Sequence, residues 1–167
     1  MQVEATKEHR WLQKLVGEWT SEGECPAGPD QPSQKLGGTE TVRSVGDIWV
    51  QCEGRGEMPG GGQAHMSMTL GYDPKKQRFI GTWIGSMMNH MWIYEGTLDA
   101  SGKVLALEST GPAWTPEGQP IEGKTARYRD SIEFVSDDHR TLSSRVLGED
   151  GKWSEPFMTA EYRRVKK

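Results

Sequence analysis

Residues 81–95 hold the side chains best suited to gripping a small molecule. Trp83, His90, Trp92 and Tyr94 supply aromatic walls and one titratable group, and Met88 lies in the Met-Met-Asn connection between two alternating runs. Small-molecule sites are mostly apolar with a few polar anchors, and this set has that character. Met66, Met68, Met87 and Met91 add adaptable thioether surface. The same residue types also plug small barrels, so a lined pocket and a filled core both account for them.

Acid/base chemistry needs only a carboxylate and a partner brought together by the fold. Glu53, Glu95, Glu108, Asp130, Arg127 and Arg129 all fall on expected strands and are the candidates. Arg127 and Arg129, two residues apart on one face, have the geometry to clamp a carboxylate or phosphate, and Glu53 joins them as a polar ligand-site candidate. A solvated cross-strand ion-pair ladder explains the two arginines as well.

Other chemistries lack their signatures. No Gly-x-Ser-x-Gly is present, no paired-Cys or His-x-x-x-His metal motif occurs, and Pro59-Gly-Gly-Gly has neither the Lys nor the helix of a phosphate loop. His9 on a helix and His139 in a turn read as surface residues, whereas His65 and His90 lie on strands. One histidine on a half-buried strand more often serves structure than metal binding.

The elements that must position these residues are mostly strands. Residues 4–16 form the one helix, with Trp11, Leu12, Leu15 and Val16 on a single side, Thr6 as N-cap and Gly17 as its stop. From Gly17 onward the hydrophobic period is two. Turns at Gly46-Asp47, Asp73-Pro74-Lys75, Asp99-Ala-Ser-Gly102, Asp137-Asp-His-Arg140 and Glu149-Asp-Gly-Lys152 divide residues 17–164 into about ten strands. Residues 26–37 and 112–123, rich in Pro, Gly and Gln, read as long loops. Short connections favour an up-and-down meander, and a meander of this length closes best as an antiparallel barrel because closure removes its edges. Residues 1–167 therefore form one all-β domain, with the helix lidding one end.

The composition agrees. Among 167 residues, 34% are hydrophobic, 26% are charged, and there are 21 glycines and seven tryptophans, which suits tight turns and bulky side chains across a barrel. A formal charge of -4 gives no electrostatic reason to expect nucleic acid or an anionic membrane as partner. The N-terminal stretch has no apolar run of the secretory type, which predicts a cytoplasmic protein with Cys25 and Cys52 as free thiols.

The segment Leu12-Gln-Lys-Leu-Val-Gly-Glu-Trp19 delivers a Gly-x-Trp from a short helix into the first strand. That arrangement resembles the calycins, which include lipocalins, fatty-acid-binding proteins and nitrobindin-like haem barrels. Further stretches, among them Met68-Thr-Leu-Gly-Tyr-Asp-Pro74, Phe79-Ile-Gly-Thr-Trp-Ile-Gly85, Arg127-Tyr-Arg-Asp-Ser-Ile-Glu-Phe134 and Phe157-Met-Thr-Ala-Glu-Tyr162, resemble the bacterial domain-of-unknown-function 1579 family, grouped with the calycins. The resemblance implies a lipocalin-like barrel over nearly the whole chain and imports no activity. A haem ligated by histidine would fit the haem-barrel analogy, but no attachment motif supports it.

Three functions follow as expectations. The first is a barrel binding a small, partly apolar ligand at Trp83, His90, Trp92, Tyr94 and Met88, with Glu53, Arg127 and Arg129. The second is an enzyme using inward carboxylates with Arg127 or Arg129. The third is a solid barrel acting through its surface. A homodimer formed through one exposed sheet face is compatible with each.

Overall fold

In the computed structural model, which describes residues 1–25 and 32–166, a seven-residue helix precedes a closed ten-stranded barrel. The helix α1 spans Lys7–Gln13, and the strands are β1 Gly17–Cys25, β2 Gln34–Val45, β3 Trp49–Glu57, β4 Gln63–Asp73 and β5 Arg78–Gly85. There follow β6 Trp92–Leu98, β7 Val104–Trp114, β8 Pro120–Ser136, β9 His139–Val146 and β10 Met158–Arg164. Each strand pairs antiparallel with its sequence neighbour, and β1 pairs with β10 from Trp19↔Arg164 to Glu24↔Thr159 to close the ring. The expected up-and-down barrel is the observed architecture.

The helix is shorter than the 4–16 the pattern predicts. Its start is fixed by a capping box in which Thr6 Oγ1 accepts from His9 N–H and the Thr6 N–H donates to His9 Nδ1 at 3.0 Å. With Nδ1 accepting, the ring proton lies on Nε2 and is donated to the Tyr72 carbonyl at 3.1 Å. His9 is thus a buried structural residue, not the surface one its helix position suggested. At the other end the chain tightens into i→i−3 bonds, Leu15 N–H to Leu12 O and Val16 N–H to Gln13 O.

Trp11, Leu12 and Leu15 bury themselves against Trp19, Phe79, Leu105 and Phe134 and plug this end of the barrel. Arg164, from the last strand, completes the plug. Its guanidinium lies 4.3 Å from the Trp19 ring and donates to the carbonyls of Val16 (2.6 Å) and Lys14 (2.9 Å), which the helix end leaves unpaired. Gly17 is at φ +139°, a backbone conformation that residues with a side chain rarely adopt, and its missing Cβ leaves room for Arg164 Nη1.

Three boundaries differ from the sequence reading. The stretch 112–123 is mostly strand: β7 continues through a bulge between Pro112 and Trp114, and a turn from Thr115 to Gln119 returns directly into β8. A bulge is where a strand accepts a proline. Of the loop expected at 26–37, residues 34–37 belong to β2, while 26–31 lie outside the described residues. The last strand starts at Met158 and not at Trp153, since Pro156 has no N–H for the ladder and Trp153 makes only an isolated bridge to Leu147. Cys25 and Cys52 are free thiols. Among the described residues, no helix is long and apolar enough to cross a membrane.

Candidate functional site

Alternation sends every second residue inward, and toward the end opposite α1 these inward side chains stop meeting. They enclose a cavity of about 460 Å³. Ten strands make a wider ring than the eight whose interior side chains just fill. Glycines at inward positions, Gly23, Gly54 and Gly56, widen it further.

Four of the sequence-derived site residues line this cavity: Trp83 on β5, Met88 in the β5–β6 connection, and Trp92 and Tyr94 on β6. The Trp92 ring lies over Gly111, where a Cβ would be 2.2 Å away, and donates through Nε1 to Met88 Sδ at 3.1 Å. Tyr128 meets Trp92 edge-on at 5.0 Å and anchors its hydroxyl on the Pro112 carbonyl at 2.5 Å. Phe157 extends this aromatic wall to the mouth, its ring 6.2 Å from Tyr128.

The other four do not reach the interior. His90 precedes β6 and stands behind Trp92, edge-on at 4.7 Å, with Nε2 3.2 Å from the Thr110 carbonyl. Glu53 points outward, because its neighbours Cys52 and Gly54 point in, and it accepts from Ser67 Oγ at 3.0 Å. Arg127 and Arg129 are outward too. Both lie against Glu108, at 3.7 and 3.8 Å, Arg127 also donates to Thr110 Oγ1, and Arg129 stacks 4.1 Å over Trp153. They form the exterior ion-pair ladder and are not a clamp facing the cavity.

The floor of the cavity is polar, and most of it escaped the sequence reading. Asp130 on β8 accepts from Tyr94 hydroxyl at 2.5 Å and from Ser144 Oγ at 2.6 Å. Burial pushes the Asp130 carboxyl above the ordinary carboxylate range, against the opposing pull of those two donors. Burial beside Asp130 likewise drives the Tyr94 phenol far upward. Four residues along β9 from Ser144, Arg140 is only 3% exposed. Its guanidinium is sandwiched between the rings of Trp19 (4.6 Å) and Tyr162 (4.0 Å) and donates through Nη2 to Glu40 on β2. The Arg140 Nε–H has no partner among the described residues. Cys52, beside this pair, has its thiol pushed far up by burial.

Arg140 was hidden because Asp137-Asp138-His139-Arg140 reads as a polar turn, whereas β9 begins at His139. Glu40 shares a face with Val42, and that parity was the available signal. None of the four histidines lines the cavity, and among the described residues no three His, Cys, Asp or Glu side chains gather as metal ligands.

Residues 4–164 match the family described as protein of unknown function (DUF1579). The chain belongs to that family. No match was found among curated proteins. Among the solved structures similar to this chain, two share its fold at 15% identity, a likeness that speaks for fold alone. One is the S-type phycobiliprotein lyase CPES from Guillardia theta, with TM-score 0.62 over 98% of this chain and 95% of the lyase. The other is Rv2717c from M. tuberculosis, with TM-score 0.63 over 98% of this chain and 100% of its own.

Proposed function

We propose that this DUF1579 protein binds a small, largely apolar molecule inside the barrel, entering at the end opposite α1. The observation that carries the reading is the cavity of about 460 Å³, walled by Met66, Met68, Trp83, Trp92 and Tyr128 above a polar floor. A hollow interior disfavours the solid-barrel interaction module. The enzyme reading loses its arginines, since Arg127 and Arg129 lie on the far side of the wall.

Fluorescence titration with the neutral reporter N-phenyl-1-naphthylamine tests the proposal. One saturable site per chain is expected. Ala160, inward and lining the cavity, becomes an obstruction in Ala160→Phe, which should abolish the signal, whereas Thr159→Phe on the outer face should preserve it. Equal binding by both variants would overturn the interior site. Native mass spectrometry of protein purified from its own host would then report the mass of any retained ligand.

A further inference from the structure

The charges of the cavity floor are unequally served, and the inequality selects among ligands. Arg140 already has a counter-ion: its guanidinium packs against the rings of Trp19 and Tyr162, and Nη2 is held by Glu40. Its Nε is buried without a partner among the described residues. A ligand anion on Arg140 would share the guanidinium with Glu40 and face a second carboxylate of the same floor, Asp130.

Asp130 is in the opposite position. It receives two neutral hydroxyl donors, from Tyr94 and Ser144, and makes no ion pair among the described residues. An ionised carboxylate has about four lone-pair sites, so two remain for a ligand. Since Glu40 and Arg140 are paired, Asp130 is the carboxylate of the floor without a counter-ion, and a half-buried charge loses hydration that no opposite charge replaces. A ligand cation would remove that penalty while its apolar body covers the methionine and aromatic walls.

We infer that the ligand is an amphiphile whose polar end is a protonated amine or comparable cationic nitrogen, seated on Asp130. This rests on the cavity being the binding site. The surrounding polar groups suit such a head: Tyr94 and Ser144 steady the carboxylate, and the hydroxyl of Ser109, on the same inner surface, is a further acceptor.

The test uses three probes of one shape, octylamine, octanol and octanoate, each titrated by calorimetry into the wild-type chain near neutral pH. The expected order is amine, then alcohol, then carboxylate, with the amine about tenfold tighter than the alcohol, the usual worth of a charge-assisted hydrogen bond. In Asp130→Asn, which keeps the shape and one accepted hydroxyl bond while the amide nitrogen donates to the other hydroxyl, amine and alcohol should become equal while the alcohol is unchanged. Probes that all bind with octanoate equal or best would overturn this inference and leave the binding barrel standing. An amine preference that survives in Asp130→Asn would also overturn it. If none of the three binds, the binding-barrel reading fails and takes this inference with it. The ranking is read on the wild-type chain, so it stands whether or not the variant folds.

Discussion

Strand β8 carries charged neighbours to opposite fates. Arg127 and Arg129 face water and share Glu108 at 3.7 and 3.8 Å, with side chains one third to one half exposed. Asp130, between Arg129 and Ser131, faces the interior, where β9 and β2 also bring the Arg140–Glu40 pair. The outer ladder contains as many formal charges as the inner floor, yet the one is screened by open solvent and the other lies within the low-dielectric wall of the barrel. A charge on this barrel is therefore worth what its side of the wall makes it. One residue of register separates the two cases.

The largest expected effect is at Arg140. Arg140→Ala leaves Glu40 buried without its partner and removes the filling between Trp19 and Tyr162, which should destabilise the protein by about 3–5 kcal/mol. Thermal denaturation should show a fall of about 6–20 °C for a chain of this size. Replacing both partners, Glu40→Leu with Arg140→Met, should recover most of that loss. If the double variant is no more stable than the single one, the interior pair is not the source of the effect.

Asp130 should give an effect of intermediate size that depends on pH. Its folded-state carboxyl binds the proton more tightly than an ordinary carboxyl of value 3.8. Stability contributed through this group is therefore greatest in acid and erodes as pH rises from that ordinary value through the elevated one. Asp130→Asn removes the dependence, so its melting temperature should gain on the wild type across that window and run parallel above it. Melting curves that stay parallel at every pH would contradict the burial of an ionisable Asp130.

The smallest effect belongs to the outer ladder. Glu108→Ala should cost less than about 1 kcal/mol, and chemical denaturation midpoints should barely move. A loss approaching that of Arg140→Ala would dissolve the contrast between the two sides.

The alternation that divides these groups was legible in the sequence. It gave about ten strands, the ring closure and the aromatic set Trp83, Trp92 and Tyr94 that lines the cavity. Where it misled, a specific reason applies. His90 is two residues from Trp92, which implies a shared face, but β6 begins only at Trp92 and the period does not extend back. Glu53, Arg127 and Arg129 attracted attention through their charge, which on an amphipathic strand marks the solvent side. Glu40 and Arg140 meet across 100 positions of sequence, and period-two patterning gives a residue its face without naming its partner across the barrel.

The Arg164 contact has a consequence for the order in which the molecule is assembled. It joins the last strand to the Val16 carbonyl, 148 positions earlier, at the same seam where β1 meets β10. The hairpins from β2 to β9 can each zip between close neighbours, but the seam must wait for the ends of the meander to find each other, and contacts of such separation form slowly. Until then β1 and β10 each keep one unpaired edge, and the enclosed cavity that Asp130 faces does not yet exist. The ring, its plug and its cavity thus depend on one seam, which the β1–β10 ladder and Arg164 hold together.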